Sequence, residues 1–222
     1  MTLVGAGAAV VVLAVPAFAA ASSTTVSPAG DNFTASLAPG TTADFTVGNI
    51  TVSCNTSDTG GQIPLAPGNH NDAGPVTMPI TTPTFANDPS PCPTNEFFVD
   101  ATNTTSGAWS IAIQFVPADP TDPTSQPSAT GTLSVPQGGV VTHTTGIVCT
   151  VTVAPDAPTT ITGTLHPASG STPPQLVFSD AMIPIQVSTG AFCPSAQTAA
   201  SFNATYDLLD TTDPNQDLTV TG

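Results

Sequence analysis

The chain has 222 residues, with no Lys and no Arg against 15 acidic residues, which gives a formal charge of −15. That balance excludes Lys/Arg to Asp/Glu ion pairs as a source of stability, and it removes the basic footprint that nucleic acids and anionic membrane surfaces need in a partner. Stability must come from burial, backbone hydrogen bonds and disulfides, and an apolar content of 39% beside only 7% charged residues is sufficient for a core.

The N-terminal run MTLVGAGAAVVVLAVPAFAAASS ends in Ala17-Phe18-Ala19, the small-x-small pattern read by signal peptidases. Its apolar part, Leu3 to Val15, falls short of the ~20 residues a helix needs to cross a bilayer. A signal peptide over 1–19 and export of the mature chain are predicted, although the basic residue that usually precedes such a run is absent. A Ser/Thr-rich leader covers 20–30.

The first structural unit is placed at 31–116 and the second at 129–222, joined by the Pro-rich segment PADPTDPTSQPS over 117–128. Landmarks recur in the same order in both. SLAPGTTADFTVGNITVSC (Ser36 to Cys54) answers TLSVPQGGVVTHTTGIVC (Thr132 to Cys149), TMPI (Thr77 to Ile80) answers MIPI (Met182 to Ile185), and each unit then has a Cys-Pro followed by a Phe, at Phe98 and Phe202. An internal duplication accounts for that order. Within the units, alternation of period two dominates: Trp109, Ile111, Ile113 and Phe115 in AWSIAIQF, Ile161 and Leu165 in TITGTL, Phe202, Tyr206 and Leu208 in ASFNATYDL, and Leu218 and Val220 in DLTV. No stretch of the mature chain carries a helical apolar stripe, and 24 Pro with 18 Gly interrupt any attempt at one. Pro79 and Pro184 sit inside apolar runs and mark those runs as edge strands or bulges. The fold class is all-β: two tandem disulfide-stapled β-sandwich units, immunoglobulin-like in the broad sense, or one larger sandwich built from duplicated halves.

Four cysteines allow three pairings. If the halves are copies, the pairs are Cys54 with Cys92 and Cys149 with Cys193. Phe98 and Phe202 then begin the core strands that the staples pin. Zinc is disfavoured because no CxxC or Cys/His spacing occurs, and a reactive thiolate would need a neighbouring cation.

Candidate sites are sparse. His70, His143 and His166 lie in GNHNDAG, VVTHTTG and TLHPAS and have no metal-ligand spacing, apart from Asp72 two positions after His70. No GxSxG elbow is present, and Glu96, the lone Glu, has no partner at a spacing that marks a glycosidase pair. Asp207, Asp210, Asp213 and Asp217 form the densest oxygen-ligand cluster and are the calcium candidates, set against an ordinary solvated hairpin turn. Trp109 falls on the apolar face of its strand, which favours a place in the core over a sugar-stacking platform. No motif calls for a cofactor.

The succession ITVSC, CP, AWSI, GIVCTVTV, CPSA and FNATY resembles exported β-rich proteins of actinobacterial type. The resemblance implies a bacterial, extracytoplasmic location and carries no active site. The expected function is that of a secreted, non-catalytic structural, adhesive or protective protein of the cell envelope or exterior, with an extracellular or cell-wall partner. A secreted binding module for a small apolar ligand or calcium is the alternative, and a hydrolase the third.

Overall fold

The structure is a computed structural model describing residues 22–122, 124–146, 148–188, 193–194 and 196–222. The expected signal peptide lies outside the described residues. In chain order the strands are β1 (Thr24–Ser27), β2 (Asn32–Leu37), β3 (Ala43–Val47), β4 (Ile50–Cys54), β5 (Asp58–Gln62), β6 (His70–Asn71), β7 (Val76–Ile80), β8 (Cys92–Pro93), β9 (Asp100–Thr105), β10 (Trp109–Val116), β11 (Ser128–Val135), β12 (Val140–Thr144), β13 (Thr150–Val153), β14 (Thr159–His166), β15 (Gln175–Val187), β16 (Ala199–Asp210) and β17 (Thr219–Thr221). Among the described residues every regular element is a strand, and the protein is all-β.

The main sheet closes on itself. Strands β2, β5, β7, β10, β11, β14, β15 and β16 follow one another as antiparallel neighbours, and β16 returns to β2, so the eight form a barrel. Closure removes the free edges that this chain has no Lys to protect. Period-two residues explain the inside: Trp109, Ile111, Ile113, Ile161, Leu165, Leu176, Tyr206 and Leu208 are buried, while Thr160, Thr162 and Thr164 on the intervening positions face water.

β15 and β16 are long enough to serve two walls. The first part of β15 pairs with β14 at Thr164↔Val177, and its last part pairs with β13 at Val151↔Val187. β16 likewise pairs with β3 at Phe202↔Phe45 and with β2 at Leu208↔Ala35. From this shared hairpin a second set of strands spreads in the order β4-β3-β16-β15-β13-β12-β9-β8. Its two ends meet through the Val52↔Thr94 bridge and the Cys54–Cys92 disulfide. An aromatic chain, Phe85, Phe202, Phe178 and Tyr206, with ring centroids 6.0, 5.6 and 6.4 Å apart, joins the interiors on either side of the shared wall.

The halves expected as separate sandwiches therefore interleave. The segment 117–128 does not space two bodies apart: it connects β10 to β11, which are direct neighbours from Ser110↔Ser134 to Val116↔Ser128. Within it Thr121 donates from backbone N and Oγ1 to Asp119 Oδ1, and Thr124 in the same way to Asp122 Oδ1, at 2.7 to 2.9 Å. Those bonds hold both carboxyls below the usual carboxylate range. The leader is also part of the fold, because β1 pairs with β17 and β6 in a small three-stranded sheet.

Pro79 and Pro184 sit in internal strands, which corrects the expectation of edges, and the bulge that β15 does carry falls between Phe178 and Ala181, ahead of Pro184. Thr81 N donates to Gly60 O, so residue 79, two positions back, also turns its nitrogen toward β5, where β7 pairs only at Gly61↔Ile80. Pro184 turns its carbonyl, and so its nitrogen, toward Ala154, one residue past the end of β13. Each proline thus spends its missing donor where the ladder has run out. Gly61 suits the first crossing, since a Cβ there would lie 2.8 Å from Pro79 O.

The disulfides are Cys54–Cys92 and Cys149–Cys193, with sequence separations of 38 and 44. Loops of that size are worth about 4 kcal/mol each in the chain-entropy account. Replacing Cys54 and Cys92 together by Ala is expected to lower the unfolding free energy by about 4 kcal/mol in urea titration. Cys54 and Cys92 are buried at 3% and 1% exposure whereas Cys193 is half-buried, so under mild reductant the Cys149–Cys193 pair should be alkylated first, as read by mass spectrometry.

Candidate functional site

The barrel interior is the first place to look for a ligand. It contains an apolar cavity of about 70 Å3 bounded by Phe33, Ile63, Met78, Ile113, Leu176 and Tyr206, and the adjoining space beside Trp109 and Phe202 holds about 50 Å3. Ligand pockets usually span ~300–1,000 Å3. Spaces this small with apolar walls are packing defects that stay dry. Val26 of β1 and Leu218 and Val220 beside and within β17 also line the larger cavity, so the three-stranded sheet caps one mouth of the barrel. On its outer side lies an open concavity of about 630 Å3 bordered by Phe115, Leu165, His166, Leu218 and Val220.

One buried hydrogen bond joins two side chains far apart in the chain. Tyr206, the single Tyr of the chain, places its hydroxyl 2.8 Å from Ser57 Oγ, and both residues are buried. Burial pushes the Tyr206 phenol well above its ordinary value of 10.0, with the Ser57 bond opposing and the charge of Asp58 adding to the rise.

The histidines lie on three different strands, β6, β12 and β14. His70 lies between Thr25 Oγ1 at 2.8 Å from Nδ1 and Asp72 Oδ1 at 2.9 Å from Nε2. The order hydroxyl, imidazole, carboxylate is that of a hydrolytic triad, but the imidazole is 42% and the carboxylate 98% exposed. An aspartate open to water cannot fix an imidazole as a buried one does. His143 Nδ1 meets Thr150 Oγ1 at 3.1 Å, and His166 borders the outer concavity. Among the described residues no group of three or more His, Cys, Asp or Glu is arranged as a metal centre.

The structure divides the expected acidic cluster. Asp207 and Asp210 lie on opposite faces of β16, because Tyr206, Leu208 and Asp210 alternate inward. Asp207 accepts from Gln175 Nε2 at 2.8 Å across the β15–β16 ladder. Asp210 caps the following turn, its Oδ1 accepting the backbone N–H of Thr212 at 2.7 Å and of Asp213 at 2.9 Å. Asp213 accepts from Asn215 N at 3.1 Å, and Asp217 is exposed.

Phe98 corrects a second expectation. It starts no core strand: Phe97 and Phe98 are 91% and 93% exposed, whereas Phe202, its supposed counterpart, is buried. Phe98 adopts φ 60°, a left-handed conformation that is uncommon for an aromatic residue. The tip is fixed from below, Thr145 N donating to Asp100 O at 2.8 Å and Thr94 Oγ1 to Val99 O at 2.7 Å. Gly146, at φ 81°, packs its Cα against the Phe98 carbonyl where a Cβ would collide, and Val148 on the same loop is 82% exposed. Sequence reasoning missed this tip because Phe in a β-rich chain reads as core.

The fold and these sites define a disulfide-bonded, cation-free β-barrel with a second set of strands built on one wall. No family model, curated protein or solved structure matches the chain.

Tyr206→Phe would leave Ser57 Oγ buried without its partner and is expected to cost about 1–3 kcal/mol of stability. A phenol whose folded pKa is raised contributes stability that is present below the unfolded value and is lost as pH rises past it. Alkaline titration followed at the tyrosinate absorbance should therefore show Tyr206 ionising only together with unfolding.

Proposed function

We propose that this is a secreted, non-catalytic structural or adhesive protein of the bacterial cell envelope or exterior, built from duplicated halves and meeting an extracellular or cell-wall partner. Export rests on the N-terminal sequence, and two disulfides are typical of extracellular proteins. The observation that carries the adhesive reading is the Phe97-Phe98 tip, two aromatic rings held in water on a braced loop, in contrast to the buried Phe33, Trp109, Phe178, Phe202 and Tyr206. Flat apolar rings on an acidic surface suit a partner that is itself uncharged, such as a glycan face or an apolar protein patch, because an anionic one would be repelled.

Duplication is supported by pairings that match between the halves. β2 with β5 corresponds to β11 with β14, β3 with β4 to β12 with β13, and β7 with β10 to β15 with β16. Each half then reaches into the other in the same way: β10 pairs with β11 as β16 pairs with β2, and β9 pairs with β12 as β16 pairs with β3. The TMPI and MIPI landmarks fit this scheme less well, since Met78 pairs with Ile111 in the barrel ladder while its counterpart Ile183 lies beyond the β15 bulge, opposite Ala200.

An apolar ligand in the interior has about 70 Å3 available, too little for anything beyond the smallest molecules. In the test, Phe97→Ser/Phe98→Ser is compared with the unsubstituted chain for sedimentation with purified cell walls of the source bacterium. Adhesion through the tip predicts loss of binding with an unchanged melting temperature. Equal binding by both proteins would remove the tip from the reading, and turnover in a broad hydrolase screen would sink the non-catalytic assignment.

A further inference from the structure

Asp210 is 4% exposed, and its Oδ2 is buried without a hydrogen-bond donor, in contrast to Oδ1 with its two backbone N–H groups. A second carboxyl faces it. Asp31 lies within hydrogen-bonding reach of the Asp210 carboxyl, and Asp213 is close enough to act on Asp31 through its charge. Backbone geometry fixes this arrangement: Asn32 N donates to Thr212 Oγ1 at 2.9 Å, and Thr211 donates to Asn32 O from N at 2.9 Å and from Oγ1 at 3.1 Å. Two carboxylates cannot remain in contact, one oxygen of them buried, without a positive charge or a proton between them. The chain has no Lys or Arg to provide that charge.

We propose that Asp31 and Asp210 bind a divalent oxygen-seeking cation of the calcium class. The two carboxylates do not make a closed cage, and the remaining positions of the six to eight that calcium takes would be filled by backbone carbonyls and water. An open site of this kind belongs with the weak sites of extracellular modules, Kd of about 10⁻⁴–10⁻³ M. Its position gives it a task. Asp31 stands between β1 and β2, and Asp210 ends β16 where the connection to β17 begins. β1 and β17 pair with each other and cap the barrel. A cation here ties the two connections that lead to the cap, and so locks both terminal strands onto the barrel mouth. The inference does not depend on the adhesive reading, because the site and the Phe97-Phe98 tip share no residue.

The test uses the mature chain, freed of metal with chelator and titrated with calcium chloride by calorimetry and by thermal melting. One saturable calcium per chain and a rise in melting temperature are expected. Asp31→Asn, at a half-buried position where the fold has little to lose, should weaken binding by about ten-fold or more. Asp210→Asn should do the same, and Asp156→Asn, at an exposed position outside the cluster, should bind as the unsubstituted protein does. Absence of saturable binding up to about 10 mM calcium, well past the weak-site range, overturns the proposal. Unchanged binding in Asp31→Asn overturns it as well, even if Asp210→Asn fails to fold. A melting temperature indifferent to calcium that falls as pH rises from about 5 to 8 would assign the pair to a shared proton and likewise overturn it.

Discussion

The antiparallel pairing of β15 with β16, running from Gln175↔Asp207 to Pro184↔Ala199, is the contact on which the rest of the architecture depends. One end of the hairpin supplies two of the eight barrel strands, and the other carries the second set of strands through β13 and β3. A bulge between Phe178 and Ala181 allows one ladder to serve both directions, with Asp180 at φ 48° taking up the bend. Asn203 holds that bend, accepting from Asp180 N at 2.8 Å and donating from Nδ2 to its carboxylate at 3.2 Å. Phe178 and Phe202, on opposite sides of the bulge, stay in contact at 5.6 Å, so the core remains continuous where the sheet changes course.

The missing cations shape what surrounds this frame. Several carboxylates take neutral donors: Asp119, Asp122, Asp210 and Asp213 accept backbone N–H groups, Asp207 an amide, Asp180 the Asn203 side chain. Abundant Thr does similar work between strands, as in the 2.9 Å contact of Thr46 with Thr51 and the 3.0 Å contact of Thr132 with Thr162. Such bonds are short-ranged and little affected by salt, unlike ion pairs. The protein thus draws its stability from terms that do not weaken as salt rises.

Strand residues were legible in the sequence to the extent that burial alternated. Trp109, Ile111 and Ile113, or Phe202, Tyr206 and Leu208, declare an inner face because a strand has only two sides. Which strands lie next to each other was not legible. The segment 117–128 has the composition of a spacer, yet a Pro-rich loop is equally able to connect adjacent antiparallel strands, and only the registry of β10 against β11 distinguishes the two. The acidic cluster failed for a related reason. Spacing grouped Asp207 with Asp210, but the strand sends them to opposite faces, while Asp31 comes from the far end of the chain. Phe98 misled because apolar character reports a preference for burial and not the backbone conformation that denies it.

Interleaving also decides how the molecule must hold together. β2 has one neighbour from its own half, β5, and one from the other, β16, and β11 has β14 and β10 in the same relation. Each half alone would expose two long unpaired edges, the arrangement that invites pairing with another chain. The disulfides act within the halves, Cys54 to Cys92 and Cys149 to Cys193, and so cannot substitute for the exchanged ladders. They shorten the unfolded excursions of each half, whereas the exchange makes the halves fold as one unit. If a single ancestral half existed, it would have needed a second copy to complete its barrel, and joining two copies through the β10–β11 loop turns that association into an intramolecular one with a high effective concentration.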